Sequence, residues 1–239
     1  MTAVLLLIFK DTILSLVASL QISSNDLFKV GDWVEAPQFG ADGDVVDIGL
    51  HAVKIQDWDK TISVIPTHKL IDSTFKNWRG MTASGGRRIK RSLFIDMNSI
   101  SLCSTETLAR FRKFELLREY IDNRQKEVEE HNKANNIDTS ESINGRGLTN
   151  IGTFRKYIEA YLRNNTKIHD EMTFLVRQLD PTEKRLPIQF YVFSNDIDWI
   201  RYEEIQSDIF DHLLAVVSEF GLKIFQSPSG KDFENLSRN

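Results

Sequence analysis

The chain has 239 residues, 41% of them hydrophobic, enough to bury one large core or two modest ones, and two domains is the expected count. Its formal charge of −4 gives no general pull toward nucleic acid, although a local basic cluster remains possible. A single cysteine, Cys103, excludes an internal disulfide framework and fits a reducing cytosol.

The first stretch, Ala3 to Ser24, is the only one greasy enough to meet a membrane. Read at about 100° per residue, Phe9, Ile13, Leu16, Val17 and Leu20 share one side of a helix, and Asp11, Thr12, Ser15 and Ser19 share another. The pattern predicts an amphipathic helix. Its apolar run ends at Lys10 and Asp11, whereas crossing a bilayer takes roughly 20 apolar residues, so it cannot be a simple anchor. No basic residue precedes the run, which argues against a cleaved signal peptide. A buried N-terminal helix of a soluble domain is the plain alternative.

From Leu27 to Trp78 the period shortens to that of strands, in LFKVGDWVEAP, GDVVDIGL, HAVKIQDW, KTISVIP and STFKNW. Five short strands predict a small closed barrel. Alternation at His51, Val53, Ile55 and Asp57, and at Ile62, Val64 and Pro66, predicts one core face and one solvent face. Asp57 to Lys60 reads as a hairpin turn, and Gly40 and Gly43 with Asp42 and Asp44 as another. Pro66 closes a strand.

The stretch Gly80 to Arg91 reads as a linker between domains, small and polar and then basic at Arg87, Arg88, Lys90 and Arg91. Such a cluster can grip RNA or phospholipid headgroups, but without interleaved aromatics it is more often a solvated turn. Beyond it, SLFIDMNSI predicts a strand and Glu106 to Glu130 one long helix with Leu108, Phe111, Phe114, Leu117 and Ile121 apolar. Lys133 to Gly147 reads as a loop, after which Thr149 and Asn150 cap a helix whose buried stripe is Phe154, Tyr157, Ile158 and Tyr161. Strands in EMTFLVRQLD and LPIQFYVFSN, a helix from Trp199 to Phe220 ended by Gly221, and a last strand LKIFQS complete the order. Strand, helix, strand, strand, helix, strand is the order of a ferredoxin-like α+β domain.

Chemistry-bearing patterns are sparse. The histidines His51, His68, His131, His169 and His212 lack metal-ligand spacing, so no metal site is expected. NGRGLTNIG before a helix fails both phosphate-loop patterns, and no G-x-S-x-G nucleophile context occurs. Asp57 and Asp59 lie in a turn open to water. No catalytic site and no cofactor are expected, and the chain reads as a non-enzyme.

The runs FKDTILSLVASLQISSNDLFKVGDWVEAP, GDVVDIGLHAVKIQDWDKTISVIPTHKLI and FKNWRG resemble the small-conductance mechanosensitive (MscS-like) channel family, most of all its YbdG-like miniconductance branch. The pattern is an amphipathic pore-proximal helix, V-G-D-W-V-E at Val30 to Glu35, G-x-V-x-x-I at Gly43 to Ile48 and I-P at Ile65 and Pro66. Its motif positions are Gly31, Asp32, Trp33, Gly43 and Pro66. The likeness continues through REYIDNRQKEVEEHN, LTNIGTFRKYIEAYLRNN and MTFLVRQLDPTEKRLPIQFYVFSN, nearly the whole chain.

What the resemblance implies is a homoheptamer whose pore helices meet on an axis, with Sm-like five-stranded barrels and ferredoxin-like α/β domains enclosing a hollow vestibule. Membrane tension opens it and small ions leave during hypoosmotic shock. The channel lies in the inner membrane with most of this chain on the cytoplasmic side. On this reading residues 1–26 are a partial pore helix, 27–79 a β-barrel domain, 80–91 a linker, and 92–239 an α/β domain with a helical insertion at about 111–165. Ala3 and Leu7 fall near the hydrophobic constriction, where an apolar ring gates by dewetting. Phe9, Ile13, Leu16, Val17 and Leu20 lie at the membrane interface, and Ser15 and Ser19 serve close helix packing. Copies of the chain, membrane lipid and small ions are the implied partners; nucleic acid is not. Asp11 and Ser19 stand where family members often have glycine, Thr67 replaces the asparagine of I-P-N, and the chain begins inside the pore helix. The competing reading is a soluble protein- or RNA-binding module with no channel activity.

Overall fold

The computed structural model describes residues 2–141 and 143–227, with side chains described from Phe9 onward. The chain forms two compact units, Met1–Gly85 and Gly86–Asn239.

The first unit begins with helix α1 (Thr2–Ser24). Strands β1 (Trp33–Ala36), β2 (Ala41–Ile48), β3 (Ala52–Asp57), β4 (Ile62–Pro66) and β5 (Lys76–Asn77) follow, with short helices α2 (Thr67–Ile71) after β4 and α3 (Arg79–Ser84) after β5. The strands form one antiparallel sheet in the order β4-β3-β2-β1-β5, so the five expected strands exist. In β3 the expected alternation holds, with Val53 and Ile55 fully buried. In β4 it is reversed: Ile62 and Val64 face outward and Ile65 enters the core. Being at the edge of the sheet, β4 can show two apolar side chains to whatever lies beyond.

Gly43 corrects the expected turn. The turn is a 3-10 segment, Pro37–Phe39, ended by Gly40 in the left-handed region, while Gly43 sits inside β2. A Cβ on Gly43 would stand 1.9 Å from the Gln56 carbonyl oxygen, so the close approach of β2 and β3 requires glycine there. The Asp57 to Lys60 turn is present, with Lys60 N–H donating to Asp57 O at 2.9 Å and Lys60 at φ 73°.

The second unit centres on β6 (Arg87–Asp96), β7 (Leu175–Gln178) and β8 (Arg185–Ser194), antiparallel in the order β6-β8-β7. Helices α4 (Thr105–Phe111), α5 (Arg118–Ala134), α6 (Asn150–Arg163) and α7 (Trp199–Val216) accompany them. The core joins Ile89, Leu93 and Ile95 of β6 and Ile188, Phe190 and Val192 of β8 to Phe154, Ile158 and Leu162 of α6 and Ile205, Ile209 and Leu213 of α7. Helices therefore cover one sheet face.

Three expectations change at the start of this unit or within it. The linker at 80–91 is instead α3, closed by Gly85 at φ 71°, followed directly by β6. Its basic residues are strand residues because Ile89 between them is fully buried and β6 pairs with β8 from Arg87 onward. The single helix from Glu106 to Glu130 is broken. Ser104 Oγ caps α4, the chain turns after Phe111, a 3-10 segment occupies Glu115–Leu117, and α5 starts at Arg118. The break lets Phe111, Leu117 and Ile121 all reach the core at zero exposure, with Phe111 and Phe114 both against the Phe220 ring. Finally LKIFQS is reduced to a bridge, Ile224 opposite Ile95, with Phe225 N–H donating to Phe94 O. Elsewhere the expectation holds: Thr149 Oγ1 accepts from Gly152 N–H to cap α6, and Gly221 at φ 67° ends the 3-10 turn that follows α7.

Candidate functional site: the first helix and its seat

α1 shows its apolar side outward. Phe9, Ile13, Leu16, Val17 and Leu20 are 46–63% exposed, while Ser15, Ala18 and Ile22 are buried. The buried positions recur at helical spacing, so the helix sits on its narrow, small-residue side against α2. Ser15 Oγ lies 3.0 Å from His68 Nδ1 of α2. Ser15 is thus committed to packing inside its own unit, and Ser19 is half-buried beside it. The plain alternative of a core helix is met only along this stripe: Ile22 enters the core with Phe28, Val34 and Leu70, and the apolar majority does not. Ala3 and Leu7 lie in the helix, but their side chains are outside the described residues. No described helix is long and apolar enough to cross a membrane.

The end of α1 is fixed by local chemistry. Leu27 N–H donates to Ile22 O at 3.2 Å, closing the last turn, and Asp26 takes the left-handed conformation at φ 51° that glycine usually supplies. The Asp26 carboxylate then meets Arg79 Nη1 at 2.9 Å and Lys29 Nζ at 3.1 Å. Arg79 also grips Asp32 with Nε and Nη2, and Asp32 further accepts from Lys29 N–H at 2.8 Å and Asn77 Nδ2 at 3.1 Å. The Arg79 guanidinium, aided by those two donors, holds the Asp32 carboxyl below its ordinary value against the opposing effect of burial. One arginine at the start of α3 therefore clamps the helix terminus and the V-G-D-W loop together.

The neighbouring motif residues serve the same seat. Gly31 has φ 91°, and its N–H donates to Val45 O at 2.8 Å, turning the loop into β1. Trp33 stacks on Trp78 with centroids 4.6 Å apart and meets Trp58 edge-on at 5.3 Å, and its Nε1 donates to Asp42 Oδ1 at 2.7 Å. Pro66 ends β4 and leads into α2, where buried Thr67 donates its hydroxyl to Gly49 O. Sequence reading found Gly31, Asp32, Trp33, Gly43 and Pro66 but assigned no role to Asp26, His68 or Arg79. Asn25-Asp26 after an apolar helix was a readable capping signal; the partnership of Arg79 with residues 47 and 53 positions away was not.

The basic cluster at the start of β6 is not a bare solvated turn. Arg87 stacks over Tyr202 at 4.5 Å and Trp199 at 5.5 Å, Arg88 over Tyr191 at 5.6 Å, and Arg91 over Phe210 at 5.4 Å. Aromatics brought in from β8 and α7 hold these cations in place.

Residues 11–80 match the family model described as the mechanosensitive ion channel β-domain. An MscS family protein of Helicobacter pylori is 23% identical over 92% of this chain and 32% of its own length. The small-conductance mechanosensitive channel MscMJ of Methanocaldococcus jannaschii is 29% identical over 50% of this chain and 31% of its own. Among solved structures, MSL1 of Arabidopsis thaliana superposes with a TM-score of 0.63 at 11% identity, covering 95% of this chain and 63% of that one. Closed-state MscS of Helicobacter pylori superposes with a TM-score of 0.59 at 13% identity, covering 95% and 68%. Those structures establish a shared mixed α+β fold. The chain is similar to the MscS-like family, through its β-domain and over most of its length, and it spans about a third of the length of the curated relatives it matches.

Proposed function

We propose that this chain is the membrane-proximal and cytoplasmic part of a tension-gated channel, through which ions leave passively during hypoosmotic shock and in which no catalysis occurs. The observation that carries the reading is the outward apolar face of α1, Phe9, Ile13, Leu16, Val17 and Leu20, on a helix seated by its small-residue side. In water such a face has nothing to gain; against lipid or neighbouring helices, covering the exposed half of each large side chain is worth about 1 kcal/mol. Tension then acts by changing the balance between two packings of the same helices. The Arg79 clamp would carry such a movement from the end of α1 into the β-domain. Ala3 and Leu7 would line the hydrophobic constriction.

The assembly is a homoheptamer in the inner membrane, most of this chain lying on its cytoplasmic side, within the miniconductance branch. Exposed Ile62 and Val64 on edge strand β4 support contact between copies at the β-domain. The five-stranded sheet supports an Sm-like barrel. The lateral order of the Ile224 segment, β6, β8 and β7, with helices on one face, supports a ferredoxin-like reading of the second unit with about 111–165 inserted.

The native mass of the chain, with and without mild detergent, together with flotation on liposomes, tests the reading. A heptameric mass and liposome binding are expected. A monomer in both conditions that does not float with liposomes overturns it.

A further inference from the structure

The second unit contains a cavity of about 350 Å³ between α5 and α6. Tyr120, Asn123, Arg124 and Glu127 line it from α5, and Arg155 and Lys156 from α6. Three cations thus face one carboxylate, inside the region 111–165 to which the channel reading gives no role. The three cations differ in how they are held. Arg124 pairs with Glu127 one turn along α5, and Lys156 with Glu159 one turn along α6 at 2.7 Å. Among the described residues Arg155 is in no ion pair, and its Nε is enclosed without a hydrogen-bond acceptor. An enclosed donor without a protein acceptor is costly unless a water or a ligand meets it.

We propose that this cavity binds a phosphate-bearing anion. Arg155 supplies the planar fork that matches two phosphate oxygens, and Lys156 and Arg124 supply the further charges a dianion requires. The Arg124–Glu127 pair is no obstacle. Both side chains are about half exposed, so the pair is weak and Arg124 can exchange the carboxylate for a phosphate oxygen. Lys156 is likewise part-exposed and lies 6.0 Å from the Tyr120 ring centroid, which keeps its ammonium near the cavity. Asn123 and the Tyr120 hydroxyl add neutral donors. The cavity is larger than a phosphate ion, which leaves room for a group esterified to it.

Free phosphate compounds and lipid headgroups share this chemistry, so two probes are needed. Inorganic phosphate is titrated into the full chain by calorimetry at constant ionic strength. In parallel, the chain is sedimented with phosphatidylcholine vesicles with and without phosphatidic acid. Saturable binding is expected in one or both arms, weakened at least about tenfold in Arg155→Met and less in Arg155→Lys, which keeps the charge and loses the fork. Response to phosphate alone identifies a soluble ligand; a response confined to phosphatidic acid identifies a headgroup. Both variants must retain the wild-type circular dichroism spectrum and thermal midpoint, and Lys156→Met provides a second route should Arg155→Met fail to fold. Equal binding in wild type and Arg155→Met, or no saturable binding of either probe at millimolar concentration, overturns the proposal. Because the comparison is between variants that share α1, the result does not depend on whether the helix itself meets the membrane.

Discussion

In the second unit four phenylalanines lie in the core, Phe111, Phe154, Phe190 and Phe220 at 2% exposure or less, whereas on the first helix of the first unit Phe9, Leu16 and Leu20 are 47–63% exposed. The second unit gathers apolar residues from β6, β8, α4, α6 and α7 into one large buried cluster. The first builds a smaller core around Val34, Val45, Val53, Ile55 and Leu70, which α1 enters with Ile22 while most of its apolar side chains stay outside. Its integrity rests instead on a tight β2–β3 approach, a tryptophan stack and a charged clamp. Apolar surface that does not serve the fold of its own chain is available to lipid or to another copy.

The contrast is broken most severely at Gly43. Any side chain there must displace the β3 backbone, so Gly43→Val should cost about 4 kcal/mol or more and unfold the first unit, while the second retains its own melting transition. Differential scanning calorimetry reads both transitions; an unchanged first transition would refute the claim that backbone contact fixes this position. The counterpart in the second unit is Phe220→Ala. That ring meets Phe111, Phe114, Phe154 and Tyr157, and its loss should cost about 3–5 kcal/mol in the second transition alone.

Replacing Asp32 with Asn should have a middling effect, about 1–2 kcal/mol, since the site is partly open and the amide keeps some of the hydrogen bonds. Its signature lies in the pH dependence. Asp32 is held below its ordinary value of 3.8, so its contribution is fully present above that value and is lost as pH falls through the lowered folded value. Asp26, lowered chiefly by its bond to Lys29 and also by Arg79, titrates in the same direction. Denaturant titrations of the first unit should therefore show the wild type and Asp32→Asn converging below about pH 4 and separated above it. Parallel curves throughout would mean that Asp32 contributes nothing through its charge.

These elements also show how far the sequence could be read. Strand periodicity located all five strands of the first unit because Val53 and Ile55 alternate as a half-buried strand must. Thr149 and Gly221 were legible as caps because capping is a local contest between a side chain or a left-handed residue and a few backbone groups. What could not be read was set by distant partners. The basic residues of β6 looked like a linker because β8, which pairs with them, lies about a hundred residues later. The break after Phe111 carries no glycine or proline; it follows from the demand of Phe220 for both Phe111 and Phe114. On α1 the apolar face was legible from its period, but its outward placement was expected only through the resemblance, because the packing that decides it belongs to α2 and His68. The motif residues of the seat were readable by resemblance, and Arg79, which binds them together, was not.

The smallest effect on folding is expected on the outer face of α1. Leu16→Asp with Leu20→Asp leaves the buried stripe of Ser15, Ala18 and Ile22 untouched, and both sites are open to solvent in the folded unit. Surface substitutions away from packed features usually stay within about 0.5 kcal/mol each, so both calorimetric transitions should remain in place. Flotation with liposomes should nonetheless be lost, because two charges at the centre of the apolar face must be carried into the membrane interface. Folding and membrane binding would then be separated on a single helix, one using its narrow side and the other its broad one. If the double variant unfolds the first unit, the broad face serves the fold and α1 is a core helix after all. If the variant floats as well as the wild type, the face meets something other than lipid, and edge strand β4 with Ile62 and Val64 becomes the first place to look for contact with a second copy.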